Sequence, residues 1–352
     1  MKLGIASKFD MAGGSEFRAA ELANGIVRYT DHDAYLLIEK RLPDQIAKYL
    51  DPKVNIVRNA ITTPDIFYEM DNILIINTDS KCFTKPEYWA GESDRHSSKI
   101  DLTRIKGLTF LFNFIVSPAE HLWKLEEQCP NIRIITTNKR FFDELSFKDK
   151  HSGVRHFRRM ILESPINPDT VYDSKFGKSI IRIGKHSHAV GNKWNKEHAV
   201  LIDRINEKYS DQVIWDFMGI TKELEKELAP YQNVICRKTF SLPVSKYLEG
   251  IHIFLFFIDW KRQEPWARST AEALMSGCPV LATDTDGGNR MQIVHGSNGY
   301  LCKTVDDFEK HLDYLIQNPE KIDQLGSNAR FYSDGFKTET IVNKLVRFML
   351  ED

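Results

Sequence analysis

Short apolar runs alternate along this chain with longer stretches in which apolar residues recur every three or four positions. The first spacing suits strands buried on both faces and the second suits amphipathic helices, so the alternation predicts β-α-β units and mainly parallel sheets. In the first half, strands are expected near residues 2–7, 34–38, 54–57, 72–77, 108–114 and 132–136. In the second half, they are expected near 179–184, 213–218, 233–236, 251–257, 279–283 and 299–302. A helix is expected from about Glu16 to Tyr29, and another near the C-terminus, where Ile341, Leu345 and Phe348/Met349 form one apolar stripe.

The pattern resets after Pro165-Ile166-Asn167-Pro168-Asp169, a proline-punctuated segment that reads as a linker. Two doubly wound Rossmann-like domains follow, at 1–165 and 166–330, with a ligand in the cleft between them and a helix at 331–352 packing back on the first. With 352 residues and 42% hydrophobic content, the chain has enough apolar material for two cores.

Lys plus Arg number 48 against 49 Asp plus Glu, so there is no whole-chain drive toward polyanions. The five cysteines are scattered without CxxC spacing and fit reduced thiols. Met1 leads directly into a strand-like run and the apolar runs are short for a bilayer span. A cytoplasmic location is expected, with peripheral membrane association left open.

The chemistry concentrates in Glu264-Pro265-Trp266-Ala267-Arg268-Ser269-Thr270-Ala271-Glu272, which ends through Gly277-Cys278-Pro279 in an apolar strand. Proline and small residues open a helix there. The amides of Trp266, Ala267, Arg268 and Ser269 are then unpaired N–H groups at a positive dipole end, suited to a diphosphate. Glu264 before the helix and Glu272 two turns in would accept bonds from hydroxyl groups on either side, one facing a sugar and the other a ribose. Arg268 is read either as a further phosphate charge or as solvated surface.

Gly13-Gly14, between the first strand and its helix, permits close backbone approach to a phosphate or sugar. Gly287-Gly288 is read as a turn after the strand at 279–283, with Asn289 beside it to bond hydroxyls. Asp284-Thr285-Asp286 matches a bare metal-binding pattern but is read as the loop into Gly287, and no metal is expected. His186, His188 and His252 are read as local structure.

In order, the chain carries Gly13-Gly14-Ser15-Glu16, Ser164 to Asp169, Ile183-Gly184-Lys185-His186-Ser187 with Lys193-Trp194, the Glu-x7-Glu helix, Asp286-Gly287-Gly288, and Gly296 to Leu301. On these it resembles the retaining nucleotide-sugar glycosyltransferases of family 4, whose GT-B fold has two facing Rossmann-like domains. The resemblance implies that Gly184, Lys185 and Lys193 serve the donor, the lysines neutralising its diphosphate where the family usually has Arg then Lys.

It also implies acceptor-side places for Glu16 and for Asn113, which stands where many members have His. Transfer of a hexose-type sugar from a UDP- or GDP-sugar is then implied. Configuration would be retained, Glu264 would hold the sugar and the leaving diphosphate would take the acceptor's proton, with no cofactor. Two other readings share the fold: a sugar-nucleotide epimerase or hydrolase, and a degenerate binding protein. The acceptor is unidentified. The basic, aromatic stretch from Lys139 to Arg159 admits an anionic one, including a lipid phosphate or a modified nucleic acid, and is otherwise a solvated loop and helix.

Overall fold

The computed structural model describes residues 1–7, 14–38, 41–60, 63, 65–76, 100–112, 129, 131–144, 157–167, 180–285 and 287–351. The chain divides into two units, Met1–Pro165 together with Phe336–Asp352, and Ile166–Gly335. The second unit thus runs past the expected boundary at 330, because a long helix continues to Ser333.

In the first unit the elements are β1 (Lys2–Ser7), α1 (Gly14–Tyr29), β2 (Asp33–Leu37), α2 (Asp44–Tyr49), β3 (Asn55–Val57), α3 (Asp65–Glu69), β4 (Asn72–Ile76), β5 (Leu108–Phe112), β6 (Ile132–Thr136) and β7 (Arg158–Ile161). They form one sheet in the order β3-β2-β1-β4-β5-β6-β7, with every pairing parallel. Alternate residues sort to opposite faces: Leu3, Ile5, Leu36 and Leu74 join one cluster, whereas Leu37, Ile73, Ile75 and Phe110 join another. A strand buried on both faces needs this near-continuous apolar run, and so the run is readable in the sequence.

β7 has no counterpart among the expected strands. Its Arg-Arg-Met-Ile sequence has no buried residue, because it occupies the end of the sheet order and carries half-exposed arginines there.

In the second unit follow β8 (Ile181–His186), α4 (His198–Tyr209), β9 (Val213–Met218), α5 (Lys222–Leu228), β10 (Val234–Arg237), α6 (Val244–Glu249), β11 (Ile253–Phe256), α7 (Arg268–Met275), β12 (Val280–Thr283), α8 (Asn289–Gln292), β13 (Gly299–Cys302), α9 (Val305–Gln317) and α10 (Pro319–Ser333). The sheet order is β10-β9-β8-β11-β12-β13, again wholly parallel. Trp215, Phe217, Ile253, Leu255 and Leu281 pack with Leu201, Ile205, Phe308, Leu312 and Leu325 from three helices.

Finally α11 (Thr338–Leu350) belongs to the first unit. Its stripe of Ile341, Val342, Leu345, Phe348 and Met349 is buried against α1. Gly25 lets the two helices meet closely, since a Cβ there would lie 2.5 Å from Val342 Cγ2 and 2.6 Å from Thr338 Cγ2.

Both sheets reverse their winding beside their first strand. In the second unit that switch lies between β8 and β11, and open α/β sheets bind ligands in the crevice at the carboxyl ends of such a pair. The loops leaving β8, β11 and β12 therefore define the candidate site.

Candidate active site

The loop after β8 is pinned to its neighbours by side chains. Trp194 Nε1 donates to Gly219 O at 3.0 Å, and Asn195 Nδ2 donates to Ile258 O at 2.9 Å. This pinning brings Lys193 to the loop after β11, where its Nζ lies 2.7 Å from Glu264 Oε2 across 71 residues of sequence. Arg262 Nε reaches the same oxygen at 3.0 Å. Both cations are only partly shielded, with side chains 23% and 22% exposed. Among the described residues, Glu264 Oε1 has no hydrogen-bond donor.

Lys185, expected just past a strand ending at residue 184, lies within β8. It is the penultimate residue of β8, only 1% exposed, and its Nζ donates to Phe257 O at 2.6 Å. The ammonium lies over the rings of Trp194 and Phe256, 4.9 and 5.3 Å from their centroids. Burial pulls its proton affinity well below that of an ordinary lysine, the charges of Lys193 and Arg262 push the same way, and Glu264 opposes them. Gly184 beside it has a packing role: a Cβ would lie 2.4 Å from Ile251 Cδ1 and 2.7 Å from Tyr247 Oη.

α7 begins at Arg268, with Ala267 as an N-cap whose side chain makes no capping hydrogen bond. Gln292 Nε2 donates to Ala267 O at 3.0 Å and fixes that turn. At the other end, Gly277 at φ +73° donates to Leu274 O and Cys278 to Ala273 O, the paired bonds of a Schellman stop. The Gly-Cys-Pro segment is thus a helix terminator feeding β12.

Glu272 is held by Arg268, whose Nε donates to Oε1 at 2.8 Å, and it faces His186 Nε2 at 3.5 Å. His186 lies under α7, packed edge-on against Tyr247 and Phe254, and burial lowers its proton affinity although Glu272 favours the charged ring.

Gly287 and Gly288 fit against the Glu264 loop. Added Cβ atoms would lie 2.5 Å from Glu264 O and 2.3 Å from Pro265 O, and the Gly288 amide donates to Glu264 O at 2.8 Å. These glycines therefore set the backbone that carries the carboxylate. Asn289 is 1% exposed, its Nδ2 donates to Thr283 O at 3.2 Å, and its Oδ1 has no hydrogen-bond partner among the described residues. Asp284 is taken by Arg290 at 2.6 Å, and among the described residues no three His, Cys, Asp or Glu side chains group to hold a metal ion.

Of the first-unit candidates, Gly14 opens α1 with free space where its Cβ would be, and Glu16 lies in the first turn of that helix. Gly13, Asn113, Asp286 and most of the basic stretch, including Phe147 and Arg155, lie outside the described residues. Sequence reasoning missed Arg262, because Lys261-Arg262-Gln263 reads as an ordinary solvated turn. The only signal available was proximity: Arg262 stands two residues before Glu264.

Comparison with known proteins bears on the same stretch. Residues 221–331 match the family described as "Glycosyl transferases group 1", a span containing Arg262, Glu264, α7 and Gly287-Gly288. An uncharacterized glycosyltransferase of Haemophilus influenzae is 32% identical over 75 residues, 21% of each chain. The spore coat protein SA of Bacillus subtilis is 36% identical over 84 residues, 22% of this chain. The aligned segments span about a fifth of the length of these two relatives.

Whole-chain similarity appears in structure. Anabaena HepE in complex with UDP and glucose superposes with a TM-score of 0.73 at 16% identity, covering 100% of both chains. A glycosyltransferase from Rickettsia africae gives 0.73 at 12% identity, covering 100% of this chain and 99% of that one. S. aureus TarM, in complex with fondaparinux, a GlcNAc-glycerol and UDP, gives 0.69 at 12%, covering 99% and 100%. The fold is that of the GT-B glycosyltransferases, two Rossmann-like units built on parallel sheets.

Proposed function

We propose that this chain is a retaining glycosyltransferase that moves a hexose-type sugar from a nucleoside diphosphate sugar to a hydroxyl acceptor. The observation that carries the reading is the meeting of Lys193 and Glu264 at the β8–β11 switch point, beside the amides that open α7. Support comes from the group 1 match over residues 221–331 and from the UDP named with HepE and TarM, which makes UDP-sugars the first donors to test.

The chemistry asks for charge of both signs. Cleaving the bond between the anomeric carbon and the β-phosphate oxygen leaves positive charge on the sugar and negative charge on the departing diphosphate. Fixed amide dipoles and the Lys193 ammonium stabilise the leaving group as its charge grows, and being already oriented they cost little to align. Glu264 holds Lys193 through Oε2 and offers Oε1 to a sugar hydroxyl. Glu272, fixed by Arg268, plays the corresponding part toward the ribose. The acceptor hydroxyl forms the new bond on the face the leaving group departs from, and its proton passes to the diphosphate oxygen.

The test is transfer from a panel of UDP- and GDP-sugars, with product anomeric configuration read by NMR. Retention is expected, with nucleotide released only when acceptor is added. Glu264→Ala and Lys193→Ala should each lower the rate on the order of a hundredfold or more while leaving circular dichroism unchanged. Wild-type rates in both variants, or nucleotide release without acceptor, would overturn the assignment.

A further inference from the structure

Four groups that bear on a phosphate lie together around Glu264: Lys185, Lys193, Arg262 and the start of α7. They are not equivalent. Lys185 is 1% exposed, its Nζ is committed to Phe257 O at 2.6 Å, and two aromatic rings flank it. A ligand would have to strip away that carbonyl and displace Trp194, whose indole is itself hydrogen-bonded to Gly219 O.

Arg262 is arranged in the opposite way. Glu264 binds it through Nε alone, at 3.0 Å, and among the described residues its two Nη groups have no hydrogen-bond partner. Anchoring a guanidinium by Nε fixes the plane of the fork while leaving its outer donors presented together, which suits the paired oxygens of a phosphate. Lys193, anchored on the same carboxylate oxygen and equally exposed, supplies a second charge beside it. One carboxylate thus orients two cations and cancels only one of their charges, leaving a net positive place for an anion.

We propose that Arg262, acting with Lys193, grips the donor's diphosphate, and that Lys185 is a positioning residue that braces the β8 and β11 loops from beneath. The assignment rests on the glycosyltransferase reading above. It gives this chain a guanidinium at the diphosphate after all, supplied from the loop after β11 rather than from the end of β8.

Isothermal titration of the full chain with UDP, GDP and the corresponding nucleosides tests it. Arg262→Gln should weaken nucleoside diphosphate binding on the order of tenfold or more while leaving nucleoside binding unchanged. Arg262→Lys should recover part of the loss, and kcat/KM with the nucleotide sugar should follow the same ranking. Lys185→Met, as the loss of a brace, should weaken nucleoside and nucleoside diphosphate binding together, whereas a loss confined to the diphosphate would overturn its assignment as a positioning residue; the two Arg262 variants test the diphosphate grip independently of it.

Unchanged UDP and GDP affinity in Arg262→Gln would overturn the proposal, as would an equal loss of nucleoside and nucleotide, which would mark Arg262 as a scaffold for Glu264. If the wild-type chain binds no nucleotide, the glycosyltransferase reading itself fails, which distinguishes the two outcomes.

Discussion

Lys185 and His198 are basic side chains held out of water, 1% and 0% exposed. His198 places Nδ1 2.6 Å from Asn195 O, which the neutral ring satisfies by donating from Nδ1, and it packs among Trp194, Phe217 and Phe257. Burial, reinforced by Lys185 and opposed by the Asn195 carbonyl, lowers its pKa to about 3. The unfolded chain takes up this proton near the ordinary value of 6.5, so the folded state is favoured above that pH and loses the advantage as pH falls toward 3. Denaturant unfolding across pH 7 to 5 should therefore show a smaller acid-induced loss in His198→Phe than in wild type, by up to about 1.4 kcal/mol per pH unit. Parallel profiles would show that His198 does not titrate differently in the two states.

Neither residue's burial was legible beforehand. Lys185 is the penultimate residue of β8, in a polar-looking Lys-His-Ser-His segment, and the rings that enclose it come from Trp194 and from Phe256 on another strand. Glu264 and Glu272 could be singled out because helix-start chemistry is local, whereas their partners Lys193 and His186 arrive from a separate loop and strand.

Among the elements, α7 and its flanking turns set the site. Its start is fixed by Gln292 and its end by Gly277, while the Gly287-Gly288 turn lies against the loop that carries Glu264. Gly288→Ala would place a methyl 2.3 Å from Pro265 O and 2.6 Å from Trp266 Cα, both backbone atoms that cannot rotate away. The expected cost is about 1–3 kcal/mol of stability, read as a lowered denaturation midpoint, with transfer activity falling further because the Glu264 loop must move. Activity and midpoint at wild-type levels would show that the turn yields freely.

Strands were legible where both faces are buried, as in Ile253–Phe256, whose four residues are all apolar and enclosed. β7 escaped because an edge strand needs no apolar run, and its Arg158-Arg159 pair looks like any basic surface stretch.

At the scale of the molecule, two parallel sheets with the same winding order arise from one repeated sequence grammar, and α11 completes the first unit from the far end of the chain. The apolar stripe of α11 was visible in sequence, while its pairing with α1 through Gly25 depended on a contact across the whole chain length. The sheet order also explains why the candidate residues converge: β8 and β11 are far apart in sequence but adjacent in the sheet, with their carboxyl ends on the same side. Among the described residues no helix is long and apolar enough to cross a membrane.

A crystal structure of the chain saturated with UDP would bear on all of this at once. The phosphates are expected within hydrogen-bond distance of Lys193 Nζ and of the first amides of α7, with Glu264 still holding Lys193. UDP bound elsewhere on the chain, with Lys193 and the start of α7 contacting only protein or solvent, would contradict the assigned site.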